Sequence, residues 1–336
     1  MRVAILAHGK FPDRAKTAVG VLRYGDHDVV AVLDRDHPGE QVHDHVPDVQ
    51  DAPIVETMAD VPECDALIIG VAPIGGGFDE SWRADVEAAI ERGCDVIAGL
   101  HYFLSEDDEF VSLAEEHGVE LRDVRNPPDD LTVAEATASE VDARIVLTVG
   151  TDCSSGKMTA SYELRDAARE RGLDAAVVPT GQTGIMISGW GIAIDRVISD
   201  FAAGATERLV QQAGDHDVVF VEGQGALVHP AYSGVTTAIL HGAQPDSMVL
   251  CHVTGREKFG GYERFALPDL STYVQLYEDV AAPITDATVD AGMVNTRGMD
   301  EANADDAIEA VAEETGAPAT DPVRYSADDV LDALLD

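Results

Sequence analysis

The chain has 336 residues, 63 acidic and 22 basic, for a formal net charge of −41. That length is enough for two domains, each with its own core, and 45% hydrophobic residues is ordinary for a globular protein. Acidic residues run along the whole chain and lysine occurs only at Lys10, Lys16, Lys157 and Lys258, which points to a salt-rich, halophilic cytoplasm and argues against nucleic acid or anionic membrane as a partner.

The elements alternate from the start. Val3–Ala7 reads as a core strand, Ala15–Tyr24 as a helix and Val29–Leu33 as a second strand. No secretory leader is expected before that first strand. Ala66–Val71 is a third strand, followed by Pro73-Ile74-Gly75-Gly76-Gly77-Phe78. Trp82–Glu91 is helical, Asp95–Ala98 a strand and Asp107–His117 another helix. This β–α alternation predicts a Rossmann-like open parallel sheet over residues 1–125. The first strand runs into Ala7-His8-Gly9-Lys10-Phe11-Pro12, with no G-x-G-x-x-G, so dinucleotide binding is not expected. Residues 126–143 open on Asn126-Pro127-Pro128-Asp129-Asp130 and show little periodicity, which reads as a linker.

A second α/β domain is expected over residues 144–336. Its strands are Arg144–Val149, Ala175–Pro179, Val218–Glu222 and Ser247–His252, with another near Pro283–Thr285 or Gly292–Asn295. Met158–Arg171 and Ala327–Leu335 read as helices. The apolar run Ile145–Val149 breaks at Gly150, crosses a polar loop and closes on Gly156-Lys157. Strand, Gly-rich loop, Lys and helix is the layout of a phosphate-binding P-loop, whose backbone N–H groups and helix N-terminus cradle anionic oxygens. The predicted phosphate contacts are Gly150, Thr151, Asp152, Cys153, Ser154, Ser155, Gly156, Lys157, Met158 and Thr159. Two departures stand out: five residues separate the glycines, and Met158 follows the Lys. The usual hydroxyl there ligates the Mg²⁺ of a nucleotide. Thr159 is one helical step on, about 100° around the axis, and is no direct substitute. The loop is thus suited to a di- or triphosphate and poorly suited to Mg-dependent phosphoryl transfer.

Other strand ends carry chemistry. In open α/β sheets, ligands collect outside the carboxyl ends of the strands. Glu222 ends the run Val218–Val221 and precedes Gly223-Gln224-Gly225, which places a candidate general base beside the P-loop. His252 leaves the next strand as a candidate acid–base group, and Arg256 follows as a bidentate carboxylate binder. His229 is a weaker candidate of the same kind. Thr180-Gly181-Gln182-Thr183-Gly184 reads as a Gly-rich loop facing the same crevice, with Gln182 and Thr183 as substrate contacts. Asp195 serves either as a substrate or base contact or as a helix N-cap. Cys64, Cys94, Cys153 and Cys251 form no C-x-x-C pair and no zinc-like spacing, so reduced thiols and no metal site are expected.

Two resemblances sharpen this. Gly-Thr-Asp-x-x-x-Gly-Lys at 150–157 is similar to the loop of dethiobiotin synthetase and related P-loop proteins. More broadly, the chain resembles a two-domain P-loop family that includes bacterial D-glutamate N-acetyltransferase. The residues carrying it are Lys16-Thr17-Ala18 with Leu22-Arg23-Tyr24, Pro73–Gly77, Gly150–Cys153 with Gly156–Thr159, Thr180–Gly184, Ile194-Asp195 with Ser199-Asp200-Phe201, and Glu222–Gly225. The resemblance implies an acyltransferase moving acetyl from acetyl-CoA to the amine of an acidic amino acid such as D-glutamate. Lys157 and the loop would hold the CoA phosphates without Mg²⁺, Arg256 a substrate carboxylate, and Glu222 or His252 the amine's proton. The alternative is a kinase or ligase using ATP with Mg²⁺ held by Thr159, Asp152 and Glu222; a non-catalytic nucleotide sensor is a third reading. Small-molecule partners and a cytoplasmic homo-oligomer are expected.

Overall fold

Six short strands in the N-terminal part lie side by side, all paired parallel. The computed structural model describes residues 1–71, 73 and 75–336, so Ile74 of the Pro73–Gly77 segment lies outside the described residues. In chain order the first elements are β1 (Arg2–Leu6), α1 (Lys16–Tyr24), β2 (Asp28–Leu33), β3 (Ile54–Val55), β4 (Ala66–Ile69), α2 (Arg83–Glu91), β5 (Asp95–Ala98), α3 (Asp108–His117) and β6 (Leu121–Asp123). The sheet order is β3-β2-β1-β4-β5-β6. The order reverses between β1 and β4, the place where such sheets leave a crevice at their carboxyl ends. Val3 to Leu6 are wholly buried, as a parallel strand covered on both faces requires. Local chemistry sets the helix starts: the Asp107 side chain caps α3 by accepting the N–H groups of Glu109 and Phe110 at 3.0 and 3.2 Å.

The chain continues through β7 (Arg144–Gly150), α4 (Lys157–Glu170), β8 (Ala175–Val178), α5 (Gln182–Ser188), α6 (Ser199–Gln212), β9 (Val218–Val221), α7 (Ser233–Ala243) and β10 (Ser247–Val253). It ends with α8 (Leu270–Ala281), β11 (Thr288–Asn295), α9 (Glu301–Thr315), β12 (Ala319–Thr320) and α10 (Asp328–Leu335). The second sheet has the order β12-β11-β10-β7-β9-β8, and its pairings are parallel. β7 is therefore central, with β9 on one side and β10 on the other. The α/β class with a Rossmann-like and a P-loop sheet is what the residue pattern predicted. No helix among the described residues is long and apolar enough to cross a membrane.

Two compact units result: Met1–Pro127 with Gln182–Ala193, and Pro128–Gly181 with Ile194–Asp336. The sequence kept residues 144–336 whole, whereas 182–193 belong to the first unit. The Gly-rich loop expected over Thr180–Gly184 is also cut there, because Gln182 begins α5. Its residues are indifferent helix formers, and burial supplies the stability. Ile185, Met186 and Ile187 are buried, and Thr183 Oγ1 meets Thr17 Oγ1 of α1 at 2.9 Å. Of the residues 126–143 expected to form a linker, Asn126 and Pro127 fall in the first unit and 128–143 in the second. The buried Glu207 carboxylate accepts the N–H groups of Glu135 and Thr137, both at 2.8 Å.

Candidate phosphate-binding site

β7 runs into the loop Thr151–Gly156, and α4 starts at Lys157. Gly156 has φ +99°, a left-handed conformation that a side chain would strain. The first backbone bond after the loop is Ala160 N–H to Gly156 C=O at 2.8 Å. The N–H groups of the first turn therefore have no partner within the helix and carry its positive dipole end. Lys157 folds back over the loop, where its Nζ donates to the Asp152 carbonyl at 2.9 Å and to Ser155 Oγ at 3.2 Å. Met158 is buried, while Ser161, one turn on, bonds Thr148 at 3.1 Å instead of facing the loop. Thr159 is half-buried.

The loop is braced from outside. Tyr273 and Tyr277, one turn apart on α8, donate to the carbonyls of Thr151 and Gly150 at 2.7 and 2.8 Å. Burial raises the pKa of both hydroxyls, which keeps them donors. Sequence reasoning missed this pair, although Tyr-x-x-x-Tyr is a one-face helical spacing.

Asp152 is the electrostatic centre of the loop. It is wholly buried. Its Oδ1 accepts Cys153 N–H at 2.7 Å, and its Oδ2 accepts Gly260 N–H and Arg256 Nη1, both at 2.9 Å. Arg256 Nη1 also reaches the Cys153 carbonyl at 2.8 Å. The group predicted to clamp a substrate carboxylate thus has one nitrogen committed to the P-loop.

Asp152, Cys153 and His229 bring three potential metal-ligating atoms within 4.8 Å of one another. The hydrogen bonds argue against a metal. His229 Nδ1 accepts Ala231 N–H at 3.1 Å, so in the neutral ring the proton sits on Nε2, the nitrogen facing Asp152 Oδ1 at 3.6 Å. A metal at Nε2 would need the opposite tautomer and would set two donors against each other at Nδ1. Burial lowers this histidine's pKa and Lys157 adds to the effect, while Asp152 opposes it.

The other predicted residues fall in three places. Glu222 follows β9 and is buried; its Oε2 accepts Gly181 N–H at 3.3 Å, and its carbonyl accepts the Thr180 hydroxyl. His252 lies near the end of β10, with Nδ1 3.1 Å from Thr151 Oγ1, and burial lowers its pKa, with a smaller push from Arg256. Both strand ends therefore flank the P-loop, as central placement of β7 dictates. Asp195 is exposed on the short turn Ile194–Arg196. Gln182 and Thr183 open α5 in the N-terminal unit, where the Gln182 side chain packs against Gly99.

Residues 132–331 match a P-loop domain of unknown function, DUF1611_C, and residues 35–127 match its Rossmann-like companion, DUF1611_N. The chain belongs to the DUF1611 family. A crystal structure of a DUF1611 family protein from Anabaena variabilis is 38% identical and superposes with a TM-score of 0.94 over 99% of both chains. A D-glutamate N-acetyltransferase from a Pseudoalteromonas species is 38% identical over 267 residues, 79% of this chain and 80% of that protein. A second, from Tritonibacter scottomollicae, is 37% identical over 273 residues, 80% of each.

Proposed function

We propose that this chain is an N-acetyltransferase that moves acetyl from acetyl-CoA to the amine of an acidic amino acid, with D-glutamate the first acceptor to try. The names of its relatives support the reaction. One observation carries the donor: a phosphate cradle with its Lys and helix N-terminus has a buried Met158 where a Mg-nucleotide loop has its hydroxyl. CoA brings a pyrophosphate and a 3′-phosphate that need no metal to be held. The N–H groups at the start of α4 and Lys157 would bind those oxygens.

With phosphates in the loop, the thioester sits at the far end of the pantetheine arm. Glu222 and His252 flank the loop, so they serve the phosphate end by shaping Gly181 and Thr151. The amine's base then lies elsewhere. The reading includes small-molecule partners only and a homo-oligomer in a salt-rich cytoplasm. The test is isothermal titration in molar KCl, with acetyl-CoA and separately with ATP, each with and without Mg²⁺. Acetyl-CoA should bind regardless of chelator, and Lys157→Ala should weaken it at least about tenfold, the loss of one or more charge-assisted bonds. Binding of ATP alone, strengthened by Mg²⁺, would replace this reading with a kinase or ligase.

A further inference from the structure

His229 lies in the loop from β9 to α7, and hydrogen bonds tie that loop down along its length. His229 N–H donates to the Ala226 carbonyl at 3.0 Å, Leu227 N–H to Tyr277 Oη at 3.1 Å, and Thr236 Oγ1 to the Gln224 carbonyl at 2.7 Å. His229 itself is 2% exposed. Tyr232 stacks on its ring with 4.7 Å between centroids, and Phe259 and Tyr262 meet it edge-on at 5.3 and 5.2 Å. Its Nδ1 accepts Ala231 N–H at 3.1 Å. Three rings fix the plane of the imidazole, and the Ala231 bond fixes the tautomer of the neutral ring, with hydrogen on Nε2.

That Nε2 is buried and has no hydrogen-bond partner among the described residues. Asp152 Oδ1 lies 3.6 Å away, beyond hydrogen-bond length, and already accepts Cys153 N–H. A buried N–H in this state costs free energy, and folded chains keep few of them. The ring borders the P-loop: one of its nitrogens, an Asp152 oxygen and Cys153 Sγ all lie within 4.8 Å of one another. Burial lowers its pKa, Asp152 raises it and Lys157 lowers it further, so side chains of the loop act on the ring. Two kinds of donor therefore converge on one loop, the Lys157 ammonium and the His229 N–H, and together they call for an anion. The neighbouring carboxylates are already engaged. Asp152 is balanced by Arg256 Nη1 and takes Gly260 N–H, both at 2.9 Å, and Glu222 gives Oε2 to Gly181 N–H at 3.3 Å.

We propose that His229 completes the phosphate cradle, its Nε2–H donating to an oxygen of the phosphate held by Lys157 and the start of α4. This rests on the reading of the loop as a phosphate site and adds a donor from outside the P-loop sequence. A charge-assisted bond of this kind is strong and directional. The nitrogen that a metal would take as a ligand here offers a proton to the phosphate instead.

The test titrates the full chain with inorganic pyrophosphate in molar KCl and chelator, so that neither the thioester nor Mg²⁺ takes part. His229→Asn offers an acceptor oxygen near the Nδ1 position for Ala231 N–H, and its short amide leaves no donor at Nε2. His229→Gln places an amide N–H near Nε2. The wild type should bind, His229→Asn at least about tenfold more weakly and His229→Gln within about threefold of the wild type. In protein made with isotope-labelled histidine, the Nε2–H resonance that His229→Asn lacks should shift when pyrophosphate is added. Thermal melts establish that both variants fold. Unchanged affinity in His229→Asn, equal losses in the two folded variants, or an Nε2–H resonance that ignores pyrophosphate overturns His229 as a donor, while the loop stands as a phosphate site. Pyrophosphate that fails to bind the wild type overturns the phosphate reading of the loop and this donor with it, and acetyl transfer is scored by its own assay.

Discussion

Asp152→Asn removes one charge and almost no volume from the centre of the P-loop. The wild-type carboxylate is wholly buried and satisfies Cys153 N–H on one oxygen, and Gly260 N–H and Arg256 on the other. An amide offers only one acceptor oxygen. Its NH₂ edge must then face either Cys153 N–H or the Gly260 and Arg256 donors. One stranded buried donor costs about 1–3 kcal/mol. Breaking a buried ion pair costs about 3–5 kcal/mol, less here because Arg256 is 28% exposed. The losses overlap, so we expect a net destabilisation of about 3 kcal/mol. Both tryptophans, Trp82 and Trp190, belong to the N-terminal unit, so far-UV circular dichroism is the better probe of urea unfolding. The midpoint should fall at fixed KCl with the slope unchanged. A cycle with Arg256→Met should show coupling above about 1 kcal/mol. A loss below about 1 kcal/mol, or strict additivity, would refute Asp152 as the anchor of the loop.

Tyr277→Phe strips the hydroxyl that donates to Gly150 C=O and accepts Leu227 N–H at 3.1 Å, so thermal unfolding should show a loss of about 1–3 kcal/mol, together with weaker acetyl-CoA binding. A Cβ on Gly223 would lie 1.8 Å from the Thr148 carbonyl, whereas one on Gly234 meets nothing within 4 Å. Gly223→Ala should therefore destabilise sharply in the same melt, while Gly234→Ala, inside α7, should gain about 0.5–1 kcal/mol. Burial lowers the His252 pKa below the ordinary histidine value of 6.5, so the unfolded chain takes up that proton first. Its contribution is complete above pH 6.5 and is lost as pH falls through the window beneath. In a pH series of denaturation midpoints, His252→Gln should fall less steeply below pH 6.5 than the wild type.

Strands buried on both faces were plain in the sequence, because Val3–Leu6, Val218–Val221 and Ser247–Cys251 are nearly unbroken apolar runs between polar turns. The P-loop was equally plain, since its chemistry is local: a strand, two glycines, a Lys and a helix in order. Residues that reach the loop from a distance were harder to see. Tyr273 and Tyr277 act through hydroxyls on α8, more than a hundred residues away, and Gly260 acts through its backbone. α5 was hidden because Gln182–Ser188 has little helical preference of its own and is stabilised by burial in the other unit. The 126–143 segment looked loose by composition, and only the Glu207 carboxylate reveals that its backbone is held. His8 carried no motif. Only the fold brings Asp85 to it, at 3.0 Å.

The most direct measurement incubates the purified chain in molar KCl with acetyl-CoA and D-glutamate, adds chelator, and follows free thiol together with the product's mass. Acetyl transfer predicts stoichiometric CoA thiol and N-acetyl-D-glutamate, undiminished by chelator and lost in Lys157→Ala at subsaturating acetyl-CoA. No product from D-glutamate or from any other acidic amino acid, or transfer that survives Lys157→Ala unchanged, would contradict it.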